Sequence, residues 1–197
     1  MRELSRRHLS RILVVLLLVG VVGASLGVAS NAIWTDSADV DANVFSAGTL
    51  DISTNPTTAL VTYSDMAPGD STGGQSLTVT NAGSLDLRYA VTMTADNTDT
   101  LGLYAELDLT IREEGTDCTT FDGNVLYGPD LPFLLTGNLI GDPTQGADAG
   151  DRTLTTASPS EVLCFKVDLP IGAPNSVQGA STTAVFTFEA EQTDNNP

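Results

Sequence analysis

Residues 66–94 read MAPGDSTGGQSLTVTNAGSLDLRYAVTMT, and this stretch decides the fold class. Its first five residues include the proline and glycine of a tight turn. Apolar and polar residues then alternate from Ser76 to Thr80 and again from Leu85 to Thr94, with the turn residues Asn81–Ser84 between them. A period of two is typical of a strand that is buried on one face only. The stretch therefore predicts a hairpin of two antiparallel strands, with one face on a core and the other in water.

The rest of the domain repeats this pattern. Further strands are predicted at Leu50–Ile52, Leu60–Tyr63, Ala105–Ile111, Glu161–Leu169 and Ala184–Ala190. Loops rich in Gly, Pro, Asn and Asp separate these strands, and no stretch sustains the period of an amphipathic helix. Seven or eight short strands predict an all-β fold, a single antiparallel β-sandwich of jelly-roll or Ig-like topology. We divide the chain into a signal peptide (1–32), an N-terminal arm (33–48), the sandwich (49–192) and a polar tail (193–197).

The segment between Glu113 and Ser160 is rich in Gly, Asp, Pro and Thr. Within it, Pro129 and Pro132 flank an apolar island, and proline is confined to edge strands and loops because it lacks a ladder donor. We expect this island at an edge or in a loop, and we expect residues 141–150 to form the most mobile loop.

The N-terminus has the organisation of a secretory signal. Arginines precede the apolar run Ile12–Val19, and small residues follow it. Ser30 and Ala32 supply small residues three and one positions before a cut, so we place cleavage between Ala32 and Ile33. The alternative is an uncleaved membrane anchor, because residues 12–32 are nearly long enough to span a bilayer.

The chain is strongly acidic, with a formal net charge of −17. Without the signal peptide, four basic residues remain against 24 acidic ones, which gives −20. Such a surface repels nucleic acid phosphates, so we expect no nucleic acid partner.

Two cysteines, Cys118 and Cys164, remain in an exported chain. In an oxidising compartment an isolated pair favours a disulfide over a metal or redox site. Because Cys164 alternates with Leu163 and Phe165, we expect the bridge at an outer face or an edge.

The sequence argues against catalysis. The only histidine, His8, lies in the signal region, so the mature chain lacks the usual general base and the commonest zinc ligand. We predict that the protein is not an enzyme, has no catalytic residues and binds no cofactor. Calcium is the alternative, since hard cations take oxygen ligands. Acidic turns supply candidates at Asp96–Asp99, Asp117, Asp122 and Asp148–Asp151, although none has the EF-hand spacing.

Several motifs occur together in a characteristic order. They are IWTD at 33–36, FSAGTLDI at 45–52, MAPGD at 66–70, VTNAGSL at 79–85 and FTFEA at 186–190. In this combination the chain resembles the TasA/camelysin family of exported proteins, whose signal peptides include those cut by the SipW-type signal peptidase. The likeness covers the signal, the first ninety or so residues and the last strand.

The resemblance implies a secreted jelly-roll-like protein of the cell surface. TasA-like members form fibres of the biofilm matrix, in which an N-terminal strand of one subunit completes the sheet of the next. We therefore expect self-association into fibres, with signal peptidase as a partner during export and with matrix or cell-surface partners afterwards. The predicted assembly residues are Ile33, Trp34, Val40, Val44 and Phe45.

Two other functions stay open. One is a surface binding or adhesion module that recognises polysaccharide or calcium. The other is the metallopeptidase activity described for camelysin-like members, which the missing histidine disfavours.

Overall fold

The computed structural model describes residues 11–16 and 46–196 of the chain. A boundary between Phe45 and Ser46 divides the chain into two units, which are described separately. In the first unit, residues 11–16 are helical and their apolar side chains are exposed. Within the described residues, no helix is long and apolar enough to cross a membrane. The predicted cleavage site at Ala32 and Ile33 and all the predicted assembly residues lie outside the described ranges.

The second unit consists of two antiparallel sheets, which confirms the predicted all-β sandwich. Its strands are β1 (Ile52–Asn55), β2 (Gln75–Asn81), β3 (Leu87–Ala95), β4 (Asp108–Glu113), β5 (Val125–Pro132), β6 (Thr136–Ile140), β7 (Arg152–Leu154), β8 (Ser160–Asp168) and β9 (Ala184–Gln192). Short 3-10 helices lie at Leu103–Glu106 and Asn175–Val177.

The large sheet has five strands in the order β1-β2-β8-β4-β5. Strand β8 lies at its centre and pairs with β2 on one side and β4 on the other, so that Phe165 is opposite both Gln75 and Ile111. Strand β5 is an edge strand, as its prolines predicted.

The small sheet is built around β3. Strand β9 pairs with β3 along its whole length, from Ala95 opposite Ala184 to Leu87 opposite Gln192. Strands β6 and β7 share the other side of β3, with β6 beside Val91–Thr94 and β7 beside Leu87–Tyr89.

The core lies between the sheets and comes from the alternating residues. Leu87, Tyr89, Val91 and Met93 of β3 are 0–1% exposed, and Leu163 and Phe165 of β8 face them with the same low exposure. Burying side chains of this size is the main stabilising contribution, at roughly 1.5–3 kcal/mol each.

The predicted hairpin at 76–94 is wrong in its pairing. Strand β2 belongs to the large sheet and β3 to the small sheet, so the turn between them carries the chain across the sandwich. The Asn81 side chain is 5% exposed and donates to the carbonyls of Leu85, at 2.8 Å, and Leu154, at 3.3 Å. Gly83 lies so close to the chain before β1 that a Cβ there would be 2.4 Å from the Thr49 carbonyl oxygen. These contacts hold a connection that crosses from the large sheet to the small sheet, and not the tight turn of a hairpin.

The expectation that the second face of β3 lies in water is wrong for the first half of the strand, whereas Thr94 near its end is exposed. Arg88 is 7% exposed and Ala90 is 2% exposed. The C-terminal residues cover this face, because Arg88 Nη2 donates to the Asn196 carbonyl at 2.7 Å.

Two other predicted elements differ. Residues 60–63 form no strand, and Leu60 instead packs against the margin of the core from an irregular segment. The strand predicted from Ala105 begins at Asp108, because a 3-10 turn occupies Leu103–Glu106.

The loop at 141–150, predicted to be the most mobile, is held by its acidic side chains. Asp151 accepts from the amides of Asp142 and Asp148, and the Gly146 amide donates to Glu191 of β9. Short polar side chains that bond to nearby backbone amides stabilise such loops.

Candidate functional site

The outer edge of β9 is the candidate functional site. One edge of β9 is paired with β3, and no strand among residues 46–196 pairs with the other edge. The strand is nine residues long and contains neither proline nor glycine. It therefore presents a long row of backbone donors and acceptors to which another strand can bind.

The inward face of β9 leaves the core partly open. Phe186 packs on Phe165 with ring centroids 5.1 Å apart, and Phe188 packs on Tyr89 at 5.9 Å. Both phenylalanines of β9 are only half-buried, whereas Phe165 and Tyr89 are each 1% exposed. An additional strand along this edge would remove apolar surface from water.

The outward face of β9 is polar at one end and apolar at the other. Val185 is 59% exposed near the start of the strand. Near the other end, a hydrogen bond from Arg88 lowers the pKa of Glu191, and the Asn196 amide and Gly146 amide act in the same direction.

The edges of the large sheet differ from the β9 edge. Strand β1 is four residues long and ends at Asn55, next to Pro56. Strand β5 contains Pro129 and Pro132. Short strands and prolines are the usual means of preventing edge-to-edge pairing.

A charged network joins the two sheets. Arg152 of β7 donates from Nη1 to Glu113 at 2.6 Å and from Nη2 to Glu161, while Tyr89 donates to Glu161 at 2.8 Å. Burial and the charge of Glu161 raise the pKa of Tyr89. Burial alone would lower the pKa of Arg152, but the hydrogen bonds and charges of Glu161 and Glu113 raise it above its ordinary value. All members of this network are partnered, so its role is to fix how the sheets face each other.

The predicted disulfide between Cys118 and Cys164 is present, with a Cα–Cα distance of 5.1 Å. It attaches the loop after β4 to the outer face of β8, as the alternation around Cys164 predicted. Phe121 of this loop lies beneath two cations, with Arg112 Cζ at 5.2 Å and Lys166 Nζ at 5.3 Å from the ring centroid. These contacts make the loop a cover for the large sheet.

The carboxylates of the acidic turns considered for calcium accept hydrogen bonds from amides and hydroxyls of the protein. A backbone amide donates a hydrogen bond to each of four of these carboxylates and lowers its pKa. The donors are Thr183 for Asp96 and Ser181 for Asp99. They are Thr120 for Asp117 and Thr116 for Asp122. Asp148 and Asp151 are bonded within their own loop. Among the described residues no three His, Cys, Asp or Glu side chains lie together as metal ligands.

A recess on the outer face of the small sheet is lined by Arg88, Asp142, Asp151 and Glu189, among others. Its volume is about 50 Å³. Pockets for small organic molecules measure roughly 300–1,000 Å³, so this recess is too small for such a ligand.

In a comparison with protein families, the chain matches the model of the camelysin metallo-endopeptidases over residues 9–117. The matched region is more than half of the chain and runs through β4. The chain belongs to the camelysin family. This confirms the resemblance drawn from the ordered motifs. A comparison with curated proteins finds no match.

The name of the camelysin family implies a peptidase with a metal ion, and the donors in the described domain do not fit a zinc centre. The single histidine of the chain, His8, lies outside the described residues. Both cysteines are in the disulfide and have no thiolate to offer. Zinc in peptidases is held by histidine together with carboxylate. The absence of enzyme activity stays a prediction.

Sequence reasoning placed the last strand of this camelysin-family domain but missed its open edge. The alternation of Ala184, Phe186, Phe188 and Ala190 predicted a half-buried strand. No local signal marked the edge, since a run without proline or glycine is equally typical of a central strand that is paired on both sides.

Proposed function

We propose that the mature chain is a secreted structural protein, a subunit of extracellular fibres of the biofilm-matrix type. Each subunit donates residues 33–45 of its N-terminal arm as a strand to the small sheet of a neighbour. In this proposal the subunit has no peptidase activity and needs no cofactor.

The observation that carries the proposal is the unprotected edge of β9. Its inward phenylalanines are half-buried, whereas the two edge strands of the large sheet are protected: β1 is very short and β5 contains prolines. An added strand would satisfy the free backbone groups and cover Phe186 and Phe188.

The arm has the sequence of a strand that could do this. Residues 38–44 read ADVDANV, with Ala38, Val40, Ala42 and Val44 alternating with polar residues. Small apolar side chains of this kind could pack beside the large rings of β9. A contact between a strand at one place and an edge at another does not close on itself, so repetition gives filaments.

The test is electron microscopy of negatively stained protein purified from Ile33 onward, at rising concentration. We expect regular filaments, and we expect none when residues 33–43 are deleted. The matched control replaces Asp39 and Asp41 with Asn, which preserves the strand pattern and should assemble. Monomers at every concentration would contradict the fibre proposal and leave a surface module that needs a ligand.

The peptidase alternative has its own test. Casein is incubated with the purified protein, with and without added zinc and with a chelator. Hydrolysis that the chelator abolishes would overturn the proposed non-enzymatic function.

A further inference from the structure

The sandwich has two distinct ends. At the proximal end, the chain enters the domain: the Ala82 amide donates to the Asp51 carbonyl at 2.9 Å, and the Thr193 amide donates to the Asp86 carbonyl at 3.1 Å. At the distal end, the Ala95 amide donates to the Leu135 carbonyl at 3.2 Å. Strand β9 runs from the distal end, at Ala184, to the proximal end, at Gln192.

The direction of β9 determines which arm can pair with it in antiparallel fashion. Every strand pairing in the described domain is antiparallel. The arm of the same chain joins the domain at the proximal end, so along its own β9 it would run parallel. The arm of another copy can run antiparallel, and its last residues then lie at the distal end of the acceptor.

The length of the arm then brings the two domains into contact. Pairing with all nine residues of β9 leaves roughly four of the 13 donated residues, 33–45, as a connection. Four extended residues span at most about 14 Å. The proximal end of the donor must therefore lie close to the distal end of the acceptor.

The distal end is where the exposed apolar side chains of the domain are concentrated. Eight large apolar side chains in residues 46–196 are strongly exposed, and six of them lie at this end: Tyr63, Leu101, Leu131, Leu135, Ile171 and Val185. Ile171 is 83% exposed. Two carboxylates at this end, Asp96 and Asp99, are taken by the amides of Thr183 and Ser181. Exposed apolar groups concentrated in this way are typical of a protein interface.

We propose that the distal end, with these six apolar residues, is the docking surface for the proximal end of a second copy of the chain. This inference rests on the proposed function, because strand donation is what brings the ends together. Each pair of neighbouring subunits would then share two contacts. The donated strand binds β9 through backbone groups, and the distal end binds the proximal end through side chains. Leu50, which is 43% exposed, lies on the chain at the proximal end and is available to this contact.

The first experiment compares two double variants of the mature chain. In Leu101→Ser with Ile171→Ser, the apolar contact is lost, and we expect the concentration at half-assembly to rise about tenfold or more. In Leu101→Val with Ile171→Val, apolar character is kept, and assembly should match the parent. Thermal unfolding checks that both variants fold, since the substituted side chains are exposed.

A labelled peptide of residues 33–45 separates the two proposals. Its binding to each chain is measured by fluorescence anisotropy at concentrations where the chain is monomeric. Equal peptide binding with impaired assembly of the serine variant supports the docking surface. Equal peptide binding with parental assembly of that variant overturns the docking surface and leaves strand donation standing. A peptide that does not bind the parent overturns both.

Cross-linking identifies the residues of the neighbouring subunit that lie near the distal end, and it does not depend on loss of assembly. Photoreactive benzoylphenylalanine is placed at position 171 and filaments are irradiated. We expect cross-links to residues 46–51, 82–86, 155–159 or 193–196 of a neighbour. Cross-links confined to the distal residues of a neighbour would mean head-to-head contact and would overturn the inference.

Discussion

The two sheets of this camelysin-family domain differ in how they end. The large sheet stops at β1, four residues long, and at β5, which contains two prolines. The small sheet ends on one side at the short strands β6 and β7 and on the other at β9, which is nine residues long and contains no proline. The core-facing side chains of β8, the central strand of the large sheet, are fully buried, whereas Phe186 and Phe188 of β9 are half-buried. The difference indicates that the edges of the large sheet are protected from pairing, whereas the β9 edge of the small sheet is available for it.

The sharpest test of this difference substitutes the same residue type in each sheet. Phe165→Ala, in β8, should lower the free energy of unfolding by about 3–5 kcal/mol because its ring is 1% exposed. Phe186→Ala, whose ring lies 5.1 Å away, should cost about 1–2 kcal/mol in the monomer. Urea denaturation measures both. Equal losses in the free energy of unfolding would show that β8 and β9 do not differ in how far they bury their rings.

The disulfide should stabilise the large sheet alone. Replacing both Cys118 and Cys164 with Ala opens a loop of 46 residues, and we expect a loss of about 3–4 kcal/mol. Hydrogen exchange should show faster exchange in β2 and β8, next to the loop, with β3 and β9 altered only through global unfolding. Selective loss of protection in β9 would contradict this assignment.

The junction between the sheets should be weakened by Arg152→Met. This substitution leaves Glu161, 18% exposed, without its cation, and we expect a loss of about 2 kcal/mol. The control is Lys166→Met, since Lys166 pairs with Asp168 at 3.0 Å and is 31% exposed, and it should change stability by less than about 1 kcal/mol. Thermal or urea unfolding compares the two variants, and equal losses would refute a special role for the Arg152 network.

The smallest expected effect is on pH dependence. Hydrogen bonds from Asn124 and Arg152 hold the pKa of Glu113 below its ordinary value of 4.5. The stabilisation from Glu113 is therefore complete above pH 4.5 and is lost as the pH falls through the lower pKa of the folded state. Glu113→Gln should cost less than about 1 kcal/mol at pH 7, and the difference from the parent should shrink in acid. A difference that is constant from pH 7 to pH 2 would show that the carboxylate charge contributes nothing.

The alternation of apolar and polar residues predicted correctly which side chains of a strand face the core. Leu163, Phe165 and Val167 alternate with polar residues, and all three are buried in β8. The alternation of apolar and polar residues did not predict which strands pair with each other. The residues around Asn81–Ser84 have the composition of a tight turn, but the Asn81 side chain bonds to Leu154, far away in sequence. Leu60–Tyr63 failed for a related reason, since an apolar run can pack at the margin of a core without joining a sheet.

The candidate site was only partly visible in the sequence. The arm was recognised as a candidate donor strand, but its residues 33–45 lie outside the described residues. The acceptor edge could not be located, because an unpaired edge depends on which strands lie beside β9 and not on the residues of β9 itself.

The sequence by itself determined the strand-forming period, the acidic surface, the cysteine pair and the scarcity of catalytic and zinc-binding side chains. These follow from composition and from the two-residue repeat of the β-strand, which are local properties. Only the tertiary structure decided that β2 and β3 lie in different sheets and, within residues 46–196, that no strand pairs with the outer edge of β9 and that most exposed large apolar side chains lie at the end away from the chain entry. Those features depend on contacts between residues distant in sequence, such as Leu87 with Gln192, which no local pattern records.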